Sequence, residues 1–167
     1  MLEIALEVRA QPPAQREPAL ELSGGVRVRG RIDRVDAHAG EAVVYDYKSS
    51  RAPAGARWER DGTLQVALYM QAVQQLLGLR VVGGFYQPLS GEDLRPRGVL
   101  DAEATVELDV VGNDVLEHDE ARALIERAVG RAREAAAEAG RGELAARPQT
   151  CAFRGGCMHP SICRCGR

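Results

Sequence analysis

The chain has 167 residues, 22 of them Lys or Arg against 24 Asp or Glu, and a net charge of −2 excludes a broadly basic nucleic-acid-coating surface. A chain of this length with 45% hydrophobic residues can bury roughly two-thirds of its surface as one globular domain, while 4% aromatics argue against a stacking platform for single strands or sugars. No apolar run approaches the ~18 residues of a membrane span and MLEIALEVRAQPP lacks the pattern of a signal peptide, so a soluble, cytoplasmic protein is expected.

Taken in chain order, residues 2–8 (LEIALEV) predict a strand, 10–18 a proline-containing loop and 19–22 (ALEL) a short strand. From Val26, VRVRGRID alternates strictly, with Val26, Val28, Gly30 and Ile32 on one face and Arg27, Arg29, Arg31 and Asp33 on the other. VVYDYK at 43–48 predicts its antiparallel partner across the turn-forming AHAGE at 37–41. Residues 63–77 carry apolar side chains at helical spacing and stop at Gly78. VVGGFYQ (81–87) and ATVELDVV (104–111) predict two more strands, and 119–139 a long amphipathic helix. All four cysteines fall between Cys151 and Cys165, the mark of a local staple or a metal site; a cytosolic setting disfavours disulfides.

Of the 22 cations, 21 are arginine and Lys48 is the sole lysine. By itself this composition reads best as chance, although an ammonium offers a compact charge and a movable pKa that a guanidinium does not. The hairpin gives the residue a setting. Alternation puts Asp46 and Lys48 on one strand face, about 6.6 Å apart along the strand. A turn centred between Ala39 and Gly40 makes cross-strand partners sum to 79 in residue number, which sets Asp33 opposite Asp46, with Arg29 and Arg31 on the same face. Two opposed carboxylates call for a compensating charge, and a divalent cation such as Mg²⁺ or Mn²⁺ supplies it with open positions for water and phosphate. A solvated face of ordinary cross-strand ion pairs fits the spacing equally well. Gln65 and Tyr69, four apart on the following helix, share a face that can lean over these acids.

GRIDRVD (30–36), YDYKS (45–49) and LQVALY (64–69) resemble, in order and spacing, the second, third and QxxxY motifs of the RecB-type branch of the PD-(D/E)XK nuclease superfamily, which includes RecB and AddB nuclease domains and CRISPR-associated adaptation exonucleases. ELAARP (143–148) is similar to the short segment before that family's C-terminal cysteines, and CMHPSICR (157–164) resembles its cysteine-rich end. The resemblance implies an α/β fold, a mixed central sheet flanked by helices with a restriction-endonuclease-like core, over a single domain: a sheet core with the QxxxY helix at 1–118, a C-terminal helix at 119–147 and a Cys-rich tail at 148–167. It implies that Asp33, Asp46 and the main-chain carbonyl of Tyr47 bind Mg²⁺ or Mn²⁺, that Lys48 positions the nucleophilic water, and that Gln65 and Tyr69 support the site and contact DNA, with Arg29 and Arg31 as further DNA contacts. The implied activity is exonucleolytic DNA hydrolysis in repair, in or beside a helicase. The alternative is a catalytically weak module that holds a strand for a partner nuclease.

Two departures from the family pattern stand out. Such domains place a fourth iron-sulfur cysteine far upstream, whereas residues 1–150 here hold none. A 4Fe-4S cluster on Cys151, Cys157, Cys163 and Cys165 and a vestigial tail with free thiols or adventitious zinc both remain readings of that tail. The family also opens with a helix bearing a metal-binding His, but His38, His118 and His159 fall elsewhere and read as surface residues. A fragment or trimmed domain of a larger protein is therefore expected.

Overall fold

The computed structural model describes residues 19–143. By its internal contacts the chain divides into two compact units at 133/134; the sheet and the helical residues up to Arg133 belong to the first. The predicted strand at 2–8, the loop at 10–18 and the cysteine tail lie outside the described residues.

Five strands form the main sheet in the order β3-β4-β5-β6-β7: β3 (Arg34–His38), β4 (Glu41–Lys48), β5 (Arg80–Pro88), β6 (Arg97–Asp101) and β7 (Val115–Leu116). β3 and β4 are an antiparallel hairpin, β4 and β5 run parallel, β5 and β6 antiparallel, and β6 and β7 parallel. A separate two-stranded hairpin, β1 (Leu20–Leu22) with β2 (Val26–Val28), precedes them. The helices are α1 (Trp58–Asp61), α2 (Gln65–Leu77) and α3 (His118–Gly140).

The hairpin turn has positive φ at both central residues, 50° at Ala39 and 85° at Gly40, the geometry that matches the twist of flanking strands and sets the register. Arg34 faces Tyr45 and Val35 faces Val44, pairs that sum to 79. β4 is buried from Glu41 through Asp46, as a central strand with both faces covered must be. On one face Val44 packs with Val66, Ala67, Met70 and Val73 of α2 and with Ala121, Leu124, Ile125 and Ala128 of α3. On the other, Val43, Tyr45, Val82, Phe85 and Leu100 form a second core.

Three expectations need correction. VRVRGRID is not one strand: Val26–Val28 pairs with β1, the chain bends through 29–33, and only from Arg34 does it join β4. Alternation reported burial on two different sheets, and a bend between them is unavoidable. Residues 104–111 form no strand; Ala104, Val106, Leu108 and Val110 pack on the second core, so their alternation records one buried side without a hydrogen-bonded ladder. β6 and β7 were not foreseen, because β6 is five residues with a glycine and β7 only two, and both are legible only through their partners.

A bulge decides which way β5 faces. Ala42 pairs with Val81 but Val43 with Gly83, so one extra residue enters β5 there. Without it Phe85 and Tyr86 would exchange faces; with it Phe85 enters the second core and Tyr86 turns under α2.

The segment over the second core is pinned by Glu41, whose Oε2 accepts from the Thr105 N–H at 3.0 Å and hydroxyl at 2.7 Å while Oε1 accepts from Arg80 at 2.8 Å. The Thr105 hydroxyl bond foremost, against the opposing effect of burial, holds the Glu41 carboxyl below its ordinary 4.5. These bonds favour the ionised form, so their stabilisation is complete above that ordinary value and is lost as pH falls through the lowered folded one. Glu41→Gln is expected to lower Tm at neutral pH and to flatten the fall in Tm on acidification below about 4.5. Melting curves across that range check it, and an unchanged neutral-pH Tm would refute it.

Candidate active site

The C-terminal end of β4 meets the N-terminal end of α2, and a string of polar contacts crosses the junction. Asp46, 3% exposed, lies 2.6 Å through Oδ2 from Lys48 Nζ. Lys48 Nζ donates to Gln65 Oε1 at 3.0 Å, and Gln65 Nε2 donates to the Tyr69 hydroxyl at 2.9 Å. The amide orientation is dictated by its neighbours, since an ammonium has only donors to offer. Because the Tyr69 oxygen accepts from Gln65, its own O–H remains available as a donor. Asp33 lies just before β3 and is exposed; its Oδ2 accepts the Tyr47 N–H at 3.0 Å. Its other oxygen has no partner among the described residues.

Lys48 rests on an aromatic floor. Its Nζ is 5.0 Å from the centroid of the Tyr86 ring, a favourable place for a cation over a π face. Tyr86 is 1% exposed and its oxygen accepts the Val66 N–H at 3.3 Å. Burial above all pushes its phenol up to about 12, so the ring stays neutral beside the ammonium. Trp58 meets Tyr86 edge to face at 5.7 Å and donates through Nε1 to the Pro53 carbonyl at 3.2 Å.

Asp33, Asp46, Lys48, Gln65 and Tyr69 thus stand within one locality, with the Tyr47 backbone between the two acids. Arg29 and Arg31 do not flank Asp33 on a strand face; they are exposed on the bend between β2 and β3. Sequence reasoning overlooked Tyr86, Trp58 and Gly30. A Cβ on Gly30 would stand 3.3 Å from the Tyr69 ring, so this glycine lets the bend lie against the tyrosine. The signal for Tyr86 was an aromatic pair in GGFYQ, but the face it takes depends on the bulge.

A family model described as the PD-(D/E)XK nuclease superfamily matches residues 1–164. The chain belongs to that superfamily, whose members are nuclease hydrolases using divalent metals on DNA, and its mixed five-stranded sheet with flanking helices is consistent with a restriction-endonuclease-like core. No curated protein and no solved structure gives a significant match.

The residues here fit a divalent cation. Asp46 Oδ2 is buried and makes no hydrogen bond; the Lys48 ammonium approaches it at ion-pair distance without hydrogen-bond alignment. Lys48 supplies one positive charge to Asp46, and exposed Asp33 keeps one oxygen without a partner among the described residues, so the two carboxylates are hard oxygen donors of the kind a divalent cation takes.

A second acidic group lies beyond the opposite end of β4 from Lys48, where Arg80 pairs with Glu41. Asp101, Glu103 and His118 bring ligand atoms within 4.8 Å of one another and could hold a metal. Arg80 already stands 3.7 Å from Asp101 and 3.6 Å from Glu103. His118 is not the plain surface residue expected, since its Nδ1 is 2.6 Å from buried Asp101. Among the described residues no helix is long and apolar enough to cross a membrane.

Proposed function

We propose that the chain is a divalent-metal-dependent deoxyribonuclease of the RecB and AddB type, an exonuclease serving DNA repair beside a helicase, with Asp33, Asp46, Lys48, Gln65 and Tyr69 as its working residues. The observation that supports this most is the contact string Asp46 to Lys48 to Gln65 to Tyr69 beside Asp33.

Asp33, Asp46 and the Tyr47 carbonyl would hold Mg²⁺ or Mn²⁺, which when bound supplies Lewis-acid polarisation of the phosphate and acidifies bound water. Lys48, held at one point by Asp46, Gln65 and the Tyr86 ring, orients the attacking water and offsets negative charge growing on the phosphorus oxygens. Tyr69 directs its hydroxyl proton toward a non-bridging phosphate oxygen, and Gln65 fixes both partners. The Tyr86 and Trp58 rings close off the underside of Lys48.

The test is cleavage of end-labelled linear DNA by the purified chain. Mg²⁺ or Mn²⁺ is expected to release short products progressively from ends, EDTA to stop it, and Asp46→Asn to lower the rate by roughly 10²-fold or more. Metal-independent cleavage, or full activity in Asp46→Asn, would overturn the reading; DNA binding with no cleavage in either metal would favour the strand-holding alternative.

A further inference from the structure

Beyond Lys48 the chain leaves β4 and folds back over the sheet, and with the β5–β6 connection it bounds a groove of about 510 Å³. Ser50 and Pro88 line its near end, two residues from Lys48 and directly across from it, respectively. Arg51, Arg57, Arg95 and Arg97 line the remainder against two acids, Asp61 and Asp93.

These arginines are not equivalent. Arg97 is committed to buried Asp114 at 2.7 Å, and Arg95 is paired with Asp93 at 2.8 Å. Arg57 reaches Asp61 only at 3.8 Å, and Arg51 is exposed with no hydrogen bond or ion pair among the described residues. Two cations are therefore available to an incoming anion.

Their scaffold is fixed before any ligand arrives. Leu89 N–H donates to the Lys48 carbonyl at 2.8 Å, the Ser90 hydroxyl to the Ser49 carbonyl at 2.6 Å, and Trp58 to the Pro53 carbonyl at 3.2 Å. The turn at Gly55–Arg57 is seated on β6, where Gly55 lies against the Gly98 carbonyl. Little backbone ordering is left for binding to meet, and the cost that remains is in the arginine side chains.

We propose that this groove is a phosphate track: Arg51 and Arg57 bind consecutive backbone phosphates of the DNA strand running on from the reacting position at Lys48. The proposal rests on the reading of Lys48 given above. Arg51 lies at most about 11 Å from Lys48 along the chain, which a strand covers in about three nucleotides at ~3.4 Å rise each. No aromatic side chain lines the groove, so it grips phosphates without stacking bases, and its recognition is independent of sequence.

The test uses the full chain in EDTA, with fluorescence anisotropy of a short labelled DNA, single-stranded and duplex, across KCl from about 50 to about 200 mM. The double variant Arg51→Ala, Arg57→Ala is expected to weaken binding on the order of tenfold for two unrelated sequences alike, and to flatten the log-log salt slope by roughly 1.4 to 1.8. Arg51→Lys on wild-type Arg57 is expected to retain most of the affinity. Arg122→Ala, on α3 and paired among the described residues only with Glu126, removes one positive charge elsewhere and is expected to bind as wild type. Wild-type affinity and slope in the double variant, an equal loss in Arg122→Ala, or no binding by the wild type would overturn the track. Cleavage measured on the same preparations separates the two readings. A chain that cleaves while the double variant binds normally loses only the track; one that binds through Arg51 and Arg57 but cleaves with neither metal supports the track and loses only the catalytic reading.

Discussion

Lys48→Arg is expected to abolish most DNA cleavage, by roughly 10²-fold or more in kcat, while leaving the charge, the melting temperature and DNA affinity close to wild type. Nζ is confined by three neighbours at once: Asp46 at 2.6 Å, Gln65 at 3.0 Å and the Tyr86 ring at 5.0 Å. A guanidinium is planar, longer and wider, so it cannot meet all three from the same strand position. It also never deprotonates, whereas an ammonium can give up a proton and the resulting amine can take one back. The side chain is about a third exposed, so there is room outward for the larger group and the fold is expected to tolerate it. The measurement is single-turnover cleavage with Mg²⁺ or Mn²⁺, alongside a melt and a binding curve. Wild-type turnover in Lys48→Arg would show that only positive charge matters there; a collapsed melt would make the residue structural.

The lone lysine shows where sequence reading reached and where it stopped. Its acid neighbour Asp46 and the register of the hairpin followed from strand alternation and a two-residue turn, because those depend on local geometry alone; Asp33, expected opposite Asp46, instead falls just before the ladder and accepts the Tyr47 N–H. Gln65 and Tyr69 followed from helical spacing. What lies beneath Lys48 did not. Tyr86 reaches it through a bulge between Val81 and Gly83, a single extra residue that VVGGFYQ does not announce. The strand from Val26 failed for the same reason in reverse: its alternation was real, but partners in two sheets divided it. Residues 104–111 repeat the lesson, since burial of one side imposes period two whether or not a ladder forms. His118 was read as a surface residue because its partner Asp101 belongs to a strand that pattern alone did not reveal.

Gly98→Ala is expected to be the most damaging small substitution in the sheet, costing about 3 kcal/mol or more and taking activity with it. An added Cβ would press into the Gly84 carbonyl and stand 2.9 Å from the Phe85 Cα, both of them backbone on the adjacent strand. Gly84→Ala makes the useful contrast. Its Cβ would meet the Met70 side chain and Val66 Cγ1 at 2.6 Å, and a thioether can move, so a loss of about 1–3 kcal/mol is expected there. Backbone in a central strand cannot yield without parting β5 from β6. Gly98 also carries the turn at Gly55–Arg57, which leads into Trp58, and Phe85 precedes Tyr86. Separating the strands therefore displaces both rings beneath Lys48 and the wall that carries Arg51 and Arg57. Urea denaturation gives the two stabilities, and cleavage measured well below the melting transition gives the consequence. Gly98→Ala should lose rate even where it remains folded, whereas Gly84→Ala, once folded, should keep most of it. Equal stability for the two variants would mean that the strands part more easily than this packing allows.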